Sequence, residues 1–181
     1  MSARHETKKA PWQAPEVLDS EPGLFSVYSW LNTTIVVWPH HATGSIVDRL
    51  AQVTRLEARE HKNGFSNFHL VKNGAGLPTP EARKGFVAMM HEHSTSLACV
   101  ATVLLGTGFW VSALQSVATG MRMLSPRSFD HRTTNSIEST VAWVPKVHLE
   151  RTGVEMDPDH LRAALEDAYS RTMALASTAP D

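Results

Sequence analysis

Only one cysteine, Cys99, occurs in the 181 residues, so no intramolecular disulfide can form and a reducing compartment is expected. Cys99 lies within an apolar run, where a small buried hydrophobe is expected rather than a reactive thiol. Charged residues are sparse at 19%, and they nearly cancel, 17 basic against 18 acidic. A net charge of −1 gives no overall field for a polyanion, and no dense Lys/Arg run replaces one, so nucleic acid is not an expected partner. No apolar run approaches the length of a membrane span. The opening MSARHETKKAPWQAP has charge without an apolar segment behind it, so neither a membrane nor a secretory route is expected and the cytoplasm is the default. The glycine patterns of nucleotide-binding loops, His-Glu-x-x-His and Gly-x-Ser-x-Gly are all missing, and no cofactor is expected. Acids such as Glu57, Glu60, Glu166 and Asp167 cluster on helix faces, as solvated surface charge does.

What is present is a chain that is 42% hydrophobic and long enough to bury a real core as one domain. Its organising stretch is Ser96 to Leu124. Leu97 to Leu105 is apolar and rich in β-branched residues, the composition of a strand buried on both faces. After Gly106-Thr107-Gly108 the rhythm changes. Trp110, Ala113, Leu114, Val117, Met121 and Leu124 recur at three- and four-residue steps, as on one stripe of a helix. Strand, glycine turn and helix make half of a parallel βαβ unit.

The rest of the chain is read around that piece. Residues 1–23 carry Pro11, Pro15 and Pro22 and few apolar side chains, and are expected to be a disordered arm whose Trp12 docks back on the domain. Leu24–Leu31 and Thr34–Trp38, joined by Asn32-Thr33, predict an antiparallel hairpin ended by Pro39. Thr43 or Ser45 caps an amphipathic helix with Ile46, Val47, Leu50, Val53 and Leu56 inward, stopped by Asn63-Gly64. Phe65–Val71 is a strand with Phe65, Asn67, His69 and Val71 on one face and Ser66, Phe68 and Leu70 on the other. Thr79-Pro80-Glu81 opens a helix with Ala82, Phe86, Met89, Met90 and His93 inward. Ser128–Arg132 is a short edge strand, Asn135–Glu138 has capping-box spacing before an apolar stripe ending at Pro145, and Asp157-Pro158 starts a last helix. The expected fold is α/β, a mixed, mostly parallel five-stranded sheet in the order β-β-α-β-α-β-α-β-α with an extra C-terminal helix. It occupies residues 24–170, with a frayed tail over 171–181.

Over roughly Leu24 to Val144 this element order resembles the STAS-like family of anti-sigma-factor antagonists. That resemblance implies a non-enzymatic regulatory module whose partner is another protein. In the family, a phosphorylatable Ser or Thr opens the helix after the third strand, in an Asp-Ser-x-Gly-like turn. Here the matching junction reads Asn73-Gly74-Ala75-Gly76-Leu77-Pro78-Thr79, with Thr79 the only hydroxyl near the helix start and amply explained as a cap. The expected partner surface therefore comprises Asn73, Gly74, Gly76 and Thr79, with Gly106, Thr107, Gly108, Phe109 and Trp110 one unit later. Gly106–Gly108 is either an anion-attracting helix start or a tight turn capped by Thr107. The helix Phe109–Leu124 is apolar nearly all round, which predicts cover from the C-terminal helix or contact with a partner or a second copy. A homodimer, or a structural homo-oligomer, follows from the second case. The alternative class is a ligand-binding or enzymatic domain at the C-terminal edge of the sheet, with His40, His41, Thr107 and His131 converging. Ten histidines raise the question of a metal. His91 and His93 diverge on a helix, so His40 and His41 are the better pair, and no metal site is expected.

Overall fold

The computed structural model describes residues 11–178; the remainder of the expected arm and tail, 1–10 and 179–181, lies outside the described residues. The fold is α/β, as expected, on a mixed sheet with six strands instead of five. The strands are β1 (Glu16–Glu21), β2 (Phe25–Trp30), β3 (Thr33–Trp38), β4 (Phe65–Lys72), β5 (Leu97–Leu105) and β6 (Asp130–Thr134), and they lie side by side in chain order. β1, β2 and β3 pair antiparallel, and β3 to β6 pair parallel. The helices are α1 (Gly44–Glu60), α2 (Pro80–Glu92), α3 (Phe109–Leu124), α4 (Ile137–Val141), α5 (Val144–Thr152) and α6 (Pro158–Ser177).

The additional strand lies inside the expected arm. β1 has too little apolar pattern to announce itself, and it is held from elsewhere: by its ladder with β2, and by Arg49 of α1, whose guanidinium meets Asp19 at 2.7 Å and Glu21 at 2.5 Å. Farther back, Trp30 donates its indole N–H to the Gln13 carbonyl (3.0 Å) and Arg171 donates to that of Pro15 (2.9 Å). The expected tail is likewise helical as far as Ser177, and the buried Thr172 within it meets the Tyr28 hydroxyl at 2.9 Å. Pro145 does not end a helix. It sits in the first turn of α5, where its missing N–H is not needed.

Each of α1, α2 and α3 carries the chain from one parallel strand to the next neighbour in the same direction, so right-handed crossovers stack all three on one face. That face buries Phe25, Val27, Val36 and Trp38 against α1 and α2. The other face buries Tyr28, Ile35, Val37, Phe68, Leu70, Ala101 and Val103 against α4, α5 and α6. One side chain in α1 departs from the expected stripe: Leu56 is 62% exposed, while Glu57 turns inward and accepts a hydrogen bond from Ser29 at 3.0 Å. A bulge at the start of β5, where Phe65 faces Leu97 and Ser66 faces Cys99, turns Leu97 to the α1–α3 face and Cys99 to the opposite one.

Candidate functional site

The two faces of the sheet treat their polar residues differently. On the α1–α3 side the parallel register lines up Asn67, Val100 and His131 in one row and His69, Thr102 and Thr133 in the next. All of these but the exposed Thr133 floor a cavity of about 80 Å³. Met89, Met90 and Phe86 of α2 and Leu114, Ala118 and Met121 of α3 close it from above, and His40, His41, Gly76 and Pro78 stand around it at the C-terminal end of β3.

The floor is polar but uncharged. Trp38 donates its indole N–H to His69 Nδ1 at 3.2 Å, which places the proton of a neutral imidazole on Nε2. The two rings stack at 6.2 Å, and Phe86 meets both edge-on. Burial, with His131 nearby, pushes the His69 pKa down to about 3, and burial beside Arg122 pushes His131 down to about 4. Asn67 is 2% exposed, and its Oδ1 is buried with no hydrogen-bond partner. His131 Nδ1 is in the same condition. A buried polar atom without a partner costs about 1–3 kcal/mol, so two of them beside one cavity are an unusual expense for structure alone. The arrangement suits a neutral, mostly apolar molecule that brings a donor to the floor.

The opposite face shows what a satisfied cluster looks like. Ser66 Oγ lies 2.7 Å from His148 Nδ1, and His148 Nε2 lies 2.7 Å from Asn32 Oδ1. Asn32 donates its amide to the Gly64 carbonyl (2.8 Å), and the Cys99 thiol donates to Ser66 (3.2 Å). Fixing the asparagine by its own donor makes its Oδ1 accept from His148 Nε2–H, so Nδ1 accepts the serine hydroxyl. The residue types are those of a nucleophile, a base and an orienting group. Ser66 and His148 are, however, wholly buried, so no substrate reaches them and the cluster is structural. Burial holds His148 neutral at about 4 and raises the Cys99 thiol to about 12, in keeping with the unreactive cysteine expected from the sequence.

The sequence-predicted residues divide between the cavity and the surface. His40, His41, Gly76 and His131 line the cavity. His40 and His41 have ring centroids 4.4 Å apart, and among the described residues no group of three or more His, Cys, Asp or Glu side chains is placed to hold a metal ion. Asn73 packs over Gly106 so closely that any side chain at Gly106 would collide with it, which brings the two predicted loops together. Thr79 is the cap of α2, accepting from the Ala82 N–H at 3.2 Å. Thr107 is exposed and is not the cap of α3: that position belongs to Gly108, whose φ of 86° favours glycine. Thr107 does not line the cavity that His40, His41 and His131 share. Gly74 lies in the loop with φ 77°, Phe109 is 90% exposed, and Trp110 is half-buried against Leu104 and Leu114. Asn67, His69 and Thr102 were not among the residues singled out. Their signal was two polar residues two apart on one face of an otherwise apolar strand.

No protein-family model, curated protein or solved structure matches the chain.

Proposed function

We propose that this chain is a small-ligand-binding domain that receives an apolar molecule between its parallel strands and helices α2 and α3. The observation that carries this reading is Asn67, 2% exposed and unpaired at Oδ1, on the floor of a cavity that methionine, leucine and phenylalanine side chains of α2 and α3 close from above and that neutral histidines share. The test uses butan-1-ol, a neutral probe small enough for the cavity, with thermal denaturation as readout. The alcohol is expected to raise Tm in the unmodified protein and not in Ala118→Phe, which fills the cavity from α3. An unmoved Tm in the unmodified protein, or an equal shift in both, overturns the reading.

A second reading, the regulatory interaction module implied by the STAS-like element order, is favoured by a different observation. α3 exposes Phe109, Met123 and Leu124, at 90%, 82% and 68%. In this reading another protein or a second copy covers that helix. Phe109→Ala with Met123→Ala is expected to abolish any dimer detected by light scattering at constant stability, and an unchanged mass removes self-association from this reading.

A further inference from the structure

Three side chains on the cavity floor still have a hydrogen bond to give or to take. Asn67 is 2% exposed, and its amide makes no hydrogen bond at either end among the described residues. His69, 8% exposed, accepts the Trp38 N–H at Nδ1, so its proton sits on Nε2, which meets no acceptor among the described residues. His131 Nδ1 is buried and unpaired, and in the Nε2–H tautomer it accepts. The floor thus presents one donor, His69 Nε2–H, and two acceptors, Asn67 Oδ1 and His131 Nδ1. All three residues line the same cavity. The strand register sets their spacing. Asn67 and His69 are two positions apart on one face of β4, about 6.6 Å along the strand, and His131 stands in the Asn67 row, two strands across.

Building on the ligand-binding reading above, we infer that the ligand is a small primary carboxamide with a short apolar tail. Its carbonyl accepts from His69 Nε2–H, and its two N–H groups go to Asn67 Oδ1 and His131 Nδ1. A hydroxyl has one proton to give and a ketone none, so neither satisfies both acceptors. A carboxamide with a hydrogen bond of about 2.9 Å on either side bridges the gap of about 6.6 Å between Asn67 and His69. A carboxylate has the same shape, but it has no proton to give, and its charge would be costly to bury over neutral imidazoles. Size limits the tail. At the packing density of a protein interior, a cavity of about 80 Å³ holds about 60 Å³ of atoms, so the ligand is of the order of acetamide. Met89, Met90 and Leu114 close over its apolar end.

The test titrates the full, isotope-labelled chain with acetamide, acetone and acetate, three molecules of one shape, and follows the amide signals by NMR. Acetamide is expected to bind about tenfold more tightly than acetone, and acetate is expected not to bind. The Asn67 side-chain signal, identified by its loss in Asn67→Leu, should move with acetamide. Asn67→Leu should bring acetamide down to the level of acetone. Asn67 has no partner to lose, so this variant should keep its fold, and its Tm checks that. Equal affinity for acetamide and acetone, an amide advantage that survives Asn67→Leu, or acetate binding as tightly as acetamide overturns the carboxamide. So does a failure of acetamide to bind, and the cavity reading then stands if butan-1-ol still raises Tm. Acetamide binding that persists in Ala118→Phe lies outside the cavity and also overturns the inference. No binding by any of the three, with Tm unmoved by butan-1-ol, removes the two readings together.

Discussion

The two faces of one sheet carry the same kinds of polar residue and use them in opposite ways. Behind the sheet, against α4–α6, Asn32, Ser66, Cys99 and His148 form a closed chain of hydrogen bonds, and Tyr28 is paired with Thr172. In front, against α1–α3, Thr34, Asn67, His93, Trp110 and His131 each leave a buried polar atom unpaired. Trp143, beside Arg132 at the β6 edge, is the one such group among the described residues behind the sheet. A satisfied buried network gives rigidity and specifies a unique packing, whereas an unsatisfied one costs stability and has a use only if something else completes it. A buried histidine is therefore no guide to function until its partners are known.

The largest expected effect comes from breaking the closed face. His148→Ala removes a wholly buried ring and strands both Ser66 and Asn32, and should cost about 4 kcal/mol in urea denaturation. A loss under about 1 kcal/mol would mean that the network is not the structural element described here.

Acid should weaken both faces, the open one more. A histidine held neutral by the fold binds its proton more readily when the chain is unfolded, so lowering the pH favours unfolding. With His69 at about 3 and His131 and His148 at about 4, against 6.5 ordinarily, stability should be level above about pH 7. It should then fall as pH drops from about 6.5 toward 4, by up to about 1.4 kcal/mol per unit for each group. Denaturation midpoints measured across that range check the sign, and His69→Gln with His131→Gln should remove most of the slope. An unchanged slope in that variant would place the acid sensitivity elsewhere.

Smaller effects sharpen the contrast. Tyr28→Phe deletes a paired hydroxyl, leaves Thr172 with its bond to the Ala168 carbonyl (2.9 Å), and should cost about 1 kcal/mol. Asn67→Leu, a similar change in size on the open face, removes an atom that has no partner and should change stability by less than about 1 kcal/mol in either direction, while lowering the butan-1-ol shift. If Asn67→Leu proves as costly as His148→Ala, the distinction between the faces fails.

Much of this architecture was legible in the chain. The apolar run Leu97–Leu105 is β5, the stripe that begins at Trp110 marks α3, Thr79 caps α2, and the alternation in Phe65–Val71 assigned each side chain of β4 to its observed face. These are local signals, carried by periodicity and capping chemistry. β1 was not legible, because its ladder and its ion pairs are made with residues distant in sequence. Thr107 was misjudged as a cap because the backbone at Gly108 turns first. At the site, His40, His41, Gly76 and His131 were named from the sequence, and Asn67, His69 and Thr102 were not, since the weight given to a polar residue in a strand depends on what lies over it.

By itself, the sequence determined an α/β layering, the order of elements from β2 to α4 with a last helix after Asp157, though not α5 between them, and a core that needs no disulfide. Those properties follow from side-chain period, turn residues and composition, which act over a few positions. Only the tertiary structure decided which polar residues are paired. Ser66 and His148 stand 82 positions apart and meet at 2.7 Å, while Asn67, one residue beyond Ser66, points to the other face and meets no partner. The pleat of β4 separates the two neighbours, and the helices packed above and below the sheet give one a hydrogen bond and leave the other facing a cavity.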